Sequence, residues 1–467
     1  MMGGIINRVG PIILIVVYMK VDLVVKNGSL VSPRGVVEGG VAIEDGVIVA
    51  VAREPQLPDA DRVIDARGLV VLPGVLDGHV HAVLPPEDSS SGTKAAARGG
   101  ITTVLEMPGS QLGGFNPDQL REIRDLFEKT SYVDFCIHAG CASGYPEGNL
   151  TEMWRMGATG IKFFVSSAGP DWPQTFDGEI IDRFSEMARV GALALVHAEN
   201  DKIIRDNEAR IAREGRRDYA THLEARPPIA EAECGERVIR YLRETGCRGL
   251  IVHTSLPETV WIARRASLEG VGVHVETCPQ YLYLTEDDVR ERGPWAKFAP
   301  PARSEETRAE MWRLLGAGLI DTVASDHAPY SRESKEAGLD DMMAAPNGIP
   351  GLETLLPLLL NGVNEGRLSL ERLAAVVSEN PARLYGIYPR KGVLQVGSDG
   401  DLVLVDMRRR MRIRGDDLLT ACGWTPYEGL EVRGVPVHSV VRGRLVLEDC
   451  EVVASEGDGA FVPRLGS

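Results

Sequence analysis

The chain has 467 residues, 44% of them hydrophobic and 25% charged, with a formal net charge of −16. That balance is ordinary for a soluble globular protein, and the acidic surplus, with no basic run interleaved with aromatics, excludes a nucleic-acid binder. The length suits one large domain with a smaller partner, and seven scattered cysteines without a C-x-x-C pair fit a reduced, cytoplasmic protein.

The first stretch, MMGGIINRVGPIILIVVYMK, holds an apolar run from Pro11 to Met19 that is too short to span a bilayer. No small-residue cleavage site follows it, so residues 1–18 are set apart as an N-terminal extension and no membrane partner is expected. From Val21 the runs VDLVVKNGSLV, GVAIEDGVIVAVA and RVIDARGLVVL alternate apolar residues and break at Asn27-Gly28 and Asp45-Gly46, which are hairpin signals. The same texture returns near the end in DLVLVD and SVVRGRLVLEDCEVV. Two β-rich segments at opposite ends predict one small domain, residues 19–70 and 395–467. A larger domain, residues 71–394, is inserted between them.

Within the larger domain the pattern becomes strand–helix alternation. The apolar runs VVLPGVLDGHVH, GITTVLEMP, VDFCIHAG, GIKFFVSS, ALALVHAEN, GLIVHTS, VGVHVETCP and IDTVASDHAP read as eight strands. Helices are predicted over Ser91–Arg98, Pro117–Lys129, Leu150–Met156, Ile180–Val190, Ile229–Glu244, Pro257–Leu268 and Ser304–Leu315, with a polar excursion before the fifth. Eight such units predict an α/β protein of the TIM (β/α)8 barrel class. A doubly wound sheet would need a Gly-rich phosphate turn after its first strand, and none is present.

In such a barrel the active site lies at the C-terminal ends of the strands. The residues there are His79 and His81, His138, Lys162, His197, His253 and Asp326. On a strand, side chains two apart point the same way, so His79 and His81 offer two imidazoles side by side. Four histidines and an aspartate suit a borderline divalent metal such as zinc. Lys162 does not, because a bare ammonium facing a cationic centre is strongly disfavoured. It is either half of a buried ion pair or a carbamate formed with carbon dioxide, whose two oxygens serve two divalent ions. In the second reading Asp326 binds one metal and also takes and returns a proton.

The motifs HVH, GIKFF, LVHAEN, VHTS, ETCPQYL and ASDHAPY fall in the order seen in the cyclic amidohydrolases, the group of dihydroorotase, allantoinase and hydantoinase, and the chain resembles them over residues 20 to 455. The resemblance implies a TIM barrel with a flanking β-sandwich domain. It also implies two metals held by His79, His81, carbamylated Lys162, His197, His253 and Asp326, and a homo-oligomer, tetramer or dimer. The reaction class is hydrolysis of a ring amide in a small cyclic amide or ureide.

Dihydroorotases of this group place an Arg, an Asn and a His on the substrate carboxylate, where this chain has Val83, Gly109 and Tyr330. Losing all three removes the charge-assisted contacts that an anionic substrate requires. GTKAAARGGITTVLEMPGSQL, GATGIKFFVSSAGPD, ARPPIAEAE and KFAPPARSEE resemble allantoinase, whereas CPQY and PNGIPG resemble hydantoinase. An allantoinase-like activity is therefore expected first, with hydantoinase and dihydroorotase activities as alternatives. Asn347, by resemblance, and Ser255, Tyr281 and Ser110, by position, are expected to touch substrate. His327 is expected to orient the Asp326 carboxylate.

Overall fold

The computed structural model describes residues 20–109, 112–144, 148–167, 172 and 174–466. The N-terminal extension and Ser110 lie outside the described residues. The predicted strands become β1 (Val75–Val80), β2 (Ile101–Glu106), β3 (Asp134–Ile137, resuming over Ala139–Gly140), β4 (Ile161–Phe164), β5 (Leu193–His197), β6 (Arg248–Ile251), β7 (Val273–Thr277) and β8 (Thr322–Val323). They pair in parallel in that order. The ring closes where Val80 bridges His327 and where the Asp77 Oδ1 accepts the Ser325 N–H at 3.0 Å.

Each strand is followed by a helix: α1 (Ser89–Arg98), α2 (Pro117–Thr130), α3 (Asn149–Arg155), α4 (Asp177–Val190), α5 (Pro228–Thr245), α6 (Pro257–Leu268), α7 (Glu305–Gly316) and α8 (Leu355–Asn364). The result is a TIM (β/α)8 barrel. Strands such as LALVH are buried at every residue because helices cover their outer faces, so they read as continuous apolar runs. Helix starts are set locally. The Asp88 carboxylate accepts the Ser91 N–H at 2.8 Å while Ser91 Oγ accepts the Asp88 N–H at 3.0 Å, a capping box that opens α1. The polar excursion between β5 and α5 contains two further helices, Asp201–Arg213 and Ala220–Ala225. The first buries only Ile204 and Ile211, too thin a stripe to announce itself in the sequence.

The terminal segments form one nine-stranded sheet folded into a β-sandwich. Its N-terminal and C-terminal parts join where Val70–Pro73 pairs antiparallel with the strand Leu402–Arg412, from Leu402 opposite Pro73 to Val405 opposite Val70. Leu23, Val25, Ile43, Val71, Leu404 and Val437 pack between its faces. VVLPGVLDGHVH is therefore not the single strand that its hydrophobicity predicts. Val70–Pro73 belongs to the sandwich, β1 belongs to the barrel, and the chain changes sheet at Gly74. A Cβ at residue 74 would lie 2.6 Å from both Asp401 Cβ and Thr102 Oγ1, so only glycine passes between them.

The sandwich is tied to the N-terminal end of the barrel by ions. Lys391, fully buried, places its Nζ 2.6 Å from Asp134 Oδ2, 2.6 Å from Asp401 Oδ2 and 2.9 Å from Asp399 Oδ2. Arg442 adds its Nε at 3.0 Å from Asp134 Oδ1. Among the described residues no helix is long and apolar enough to cross a membrane.

Candidate active site

Six of the seven strand-end residues, all but His138, meet at one mouth of the barrel. His79 Nε2 lies 3.3 Å from Lys162 Nζ and 3.2 Å from Asp326 Oδ1, and His81 Nε2 lies 3.8 Å from the same oxygen. His197 Nδ1 and His253 Nε2 face each other at 3.1 Å, and the His79 and His253 ring centroids are 5.4 Å apart. Six side chains from β1, β4, β5 and the ends of β6 and β8 thus converge. His253 and Asp326 hold left-handed backbone angles, φ of 38° and 51°, which non-glycine residues adopt at a cost and which turn both side chains into the centre.

Carboxylates behind the histidines set which ring nitrogen faces inward. Glu276 Oε1 takes His79 Nδ1 at 3.0 Å, which leaves the Nε2 lone pair for the centre. Glu199 Oε2 takes His197 Nε2 at 2.8 Å, which leaves Nδ1. Glu199 is itself paired with Arg226. Burial pushes His79 and His253 well below the ordinary imidazole range and His81 down to about 3, with the Lys162 charge adding to the effect. All three are therefore neutral and have lone pairs to give. Burial also pushes the Lys162 ammonium down and the Asp326 carboxyl up.

This donor set fits divalent cations. Ligand atoms of His79, His81 and Asp326 lie within 4.8 Å of one another, and His197 Nδ1 and His253 Nε2 come together beside them. Neutral imidazoles beside a carboxylate are what a borderline metal selects. Glu276→Gln is expected to weaken metal binding about 10- to 100-fold, because a neutral amide oxygen replaces the charged carboxylate that orients the His79 ring and raises its basicity. Titration of the metal-free protein with zinc would measure this, and an unchanged affinity would remove Glu276 from the site.

The other predicted residues separate. Asn347 lines the cavity above the histidines, together with Phe164, Trp172, Arg226, Phe298 and Tyr330. Ser255 and Tyr281 do not reach it. The Ser255 hydroxyl donates to Glu231 and accepts from Arg303 Nε at 2.9 Å, and the Tyr281 hydroxyl donates to the Pro300 carbonyl at 3.0 Å. Helix α5 and the segment before α7 supply the partners that bind these groups. His327 is held on three sides. Its ring bonds Glu87 at 2.8 Å and accepts the Gly351 N–H at 3.0 Å, and its carbonyl accepts the His81 N–H at 3.0 Å. It therefore supports His81 through the backbone and not Asp326 through its carboxylate. His138 is locked inside the barrel between the Gly78 carbonyl and Thr159 Oγ1, each at 3.1 Å.

Sequence reasoning missed Glu199, Glu276 and Arg226. Glu276 sits in β7, one residue before its end, and the strand-end rule applied to every strand would have found it. Arg226 comes from the β5–α5 excursion, where no periodicity pointed to the site.

Residues 70–446 match the Amidohydrolase family. The chain is 40% identical to an L-hydantoinase of Paenarthrobacter aurescens over 453 residues, 95% of this chain and 98% of that protein. It is 39% identical to an allantoinase of Rubrobacter xylanophilus over 453 residues, 94% of this chain and 97% of that protein. The solved structure of the L-hydantoinase (dihydropyrimidinase) from Arthrobacter aurescens superposes with a TM-score of 0.93 at 39% identity, covering 95% of this chain and 100% of that one.

Proposed function

This chain belongs to the amidohydrolase family, as a metal-dependent hydrolase of carbon–nitrogen bonds in cyclic amides, and from that premise we propose that it opens a five-membered cyclic ureide of the hydantoin type, allantoin first. One observation carries the substrate class. In the cavity around the histidines the cationic side chains among the described residues are Lys162 and Arg226, and Arg226 is already paired with Glu199. A substrate carboxylate such as that of dihydroorotate would enter without a free cation to meet it. A neutral ureide needs only hydrogen-bond partners, and Asn347 Oδ1 is buried there without one. The aromatic walls Phe164, Trp172 and Phe298 favour a second reading, a hydantoin carrying an aryl substituent.

We assign His79, His81, Lys162 as its carbamate, His197, His253 and Asp326 to two divalent cations, zinc by donor type. When bound, such a pair would supply an activated water and would polarise the ring carbonyl. The water oxygen adds to the carbonyl carbon and the carbon–nitrogen bond breaks. Asp326 takes the water proton on its carboxylate and returns it to the leaving nitrogen. Asn347 orients the ring, and Glu199 and Glu276 keep the histidines in the tautomers described.

A parallel assay with allantoin, a 5-benzylhydantoin, dihydrouracil and dihydroorotate tests the reading. The expected result is kcat/KM at least about a hundredfold higher for one of the two hydantoins than for dihydroorotate, the scale of leaving a buried charged group unsatisfied, about 3 kcal/mol. Preference for dihydroorotate would overturn the argument from the missing cation.

A further inference from the structure

Two lysines that no catalytic step uses lie buried beneath the segment that carries Asn347. Lys297 is 3% exposed, and its Nζ donates to the carbonyls of Met342 at 2.7 Å, Met343 at 3.3 Å and Ala345 at 2.6 Å. Lys335 is fully buried, and its Nζ donates to the carbonyls of Lys297 at 3.0 Å, Pro346 at 3.1 Å and Gly348 at 2.9 Å. The Gly348 N–H closes the arrangement on the Lys297 carbonyl at 3.0 Å. Among the described residues neither ammonium has a carboxylate within salt-bridge distance.

A lysine buried without a counter-ion is costly, and its three protons must find acceptors. Here five of the six acceptors are main-chain carbonyls of one short segment, residues 342–348, and the sixth is the carbonyl of Lys297 itself. Carbonyls gathered round a cation point inward, so the outer face of the segment is left to the side chains. That outer face is functional. Asn347 and Gly348 line the cavity around the histidines. Met343, Ala345, Pro346 and Asn347 line the adjoining cavity. The sandwich domain covers the assembly. Trp424 lies with its ring centroid 5.4 Å from Lys335 Nζ, and its Nε1 donates to the Tyr330 carbonyl at 2.8 Å.

We propose that Lys297 and Lys335 are positioning residues for substrate recognition: they cage the carbonyls of residues 342–348 and so fix Asn347 at the cavity wall. The inference rests on the reading of that cavity as the substrate pocket. It is distinct from metal binding, because neither lysine touches a histidine of the centre or Asp326.

Steady-state kinetics on Asn347→Ala, Lys297→Met and the double variant, with the preferred ring from the assay above, test it. Each single variant is expected to raise KM about tenfold, the scale of one lost hydrogen bond, with kcat within about threefold and metal content unchanged. The double variant is expected to be no worse than the larger single, because both remove one interaction. A lysine that served only stability would lower the melting temperature and leave KM alone. Should Lys297→Met not fold, Lys335→Gln, which retains two donors, carries the same comparison. A raised KM for Asn347→Ala beside an unchanged KM for the lysine variants, or effects that multiply, overturns the positioning role and leaves the pocket reading intact. An unchanged KM for Asn347→Ala overturns both.

Discussion

Lys162→Ala is expected to lose at least one of two bound cations and to open rings at least about a thousandfold more slowly than the parent chain, because activated water and carbonyl polarisation are lost together. Lys162 lies in β4, is 1% exposed, and has His79 Nε2 at 3.3 Å and the Phe164 ring centroid at 5.0 Å. The buried ion pair that the sequence left open is not formed among the described residues, where no carboxylate oxygen lies within 4.0 Å of its Nζ. A charged ammonium in that position would be costly, and burial moves the group toward its neutral form. A neutral amine attacks carbon dioxide, forming a nitrogen–carbon bond and releasing a proton. The resulting carbamate would carry one negative charge shared over two oxygens, placed where the imidazole lone pairs converge. Metal analysis of the purified variant, with and without added short carboxylates, checks the assignment. Partial return of metal and turnover with acetate would mark the missing group as a carboxylate. Full metal content and full turnover in Lys162→Ala would leave the carbamate without a role.

The six converging residues were legible because the barrel makes position along the chain equivalent to position in space. A residue at the C-terminal end of any strand faces the same mouth, so a list of strand ends is a list of candidate site residues. What stayed illegible depends on partners remote in sequence. Ser255 stands two residues after His253, yet its hydroxyl is taken by Glu231 and Arg303, which come from elements outside that strand. Tyr281 likewise spends its hydroxyl on a carbonyl. The division of VVLPGVLDGHVH at Gly74 was hidden for a similar reason. Apolar character runs unbroken across the join, and the constraint that makes it a join comes from Asp401 and Thr102. Arg226 was hidden because an excursion between a strand and its helix has no period to follow, although it delivers the residue that neutralises Glu199.

Lys391→Met is expected to lower the unfolding free energy by about 3–5 kcal/mol, the range for removing one partner from a buried ion pair, while leaving turnover per folded molecule unchanged. Three carboxylates depend on this ammonium: Asp134 at the start of β3, Asp399, and Asp401 just ahead of the strand that pairs with Val70–Pro73. Without it Asp134 and Asp401 face each other in the interior with Arg442 alone in support. Methionine fills the space but accepts none of the charge. The cluster lies at the N-terminal end of the strands, opposite the histidines, so the loss is one of cohesion between sandwich and barrel and not of chemistry. The sign of its pH dependence follows from Asp401. Burial raises its folded carboxyl to about 6, and Lys391 is what restrains that rise. With the lysine gone the folded carboxyl rises further, so the variant holds a proton that the parent has released. A group raised on folding stabilises the folded state below its pKa and ceases to do so above it. The gap between variant and parent therefore widens as pH climbs above about 6 and narrows as pH is lowered toward it. Denaturant unfolding of both proteins across that interval measures the gap. A variant within about 0.5 kcal/mol of the parent at every pH, the range of a surface substitution, would mean that the cluster does not join the two domains.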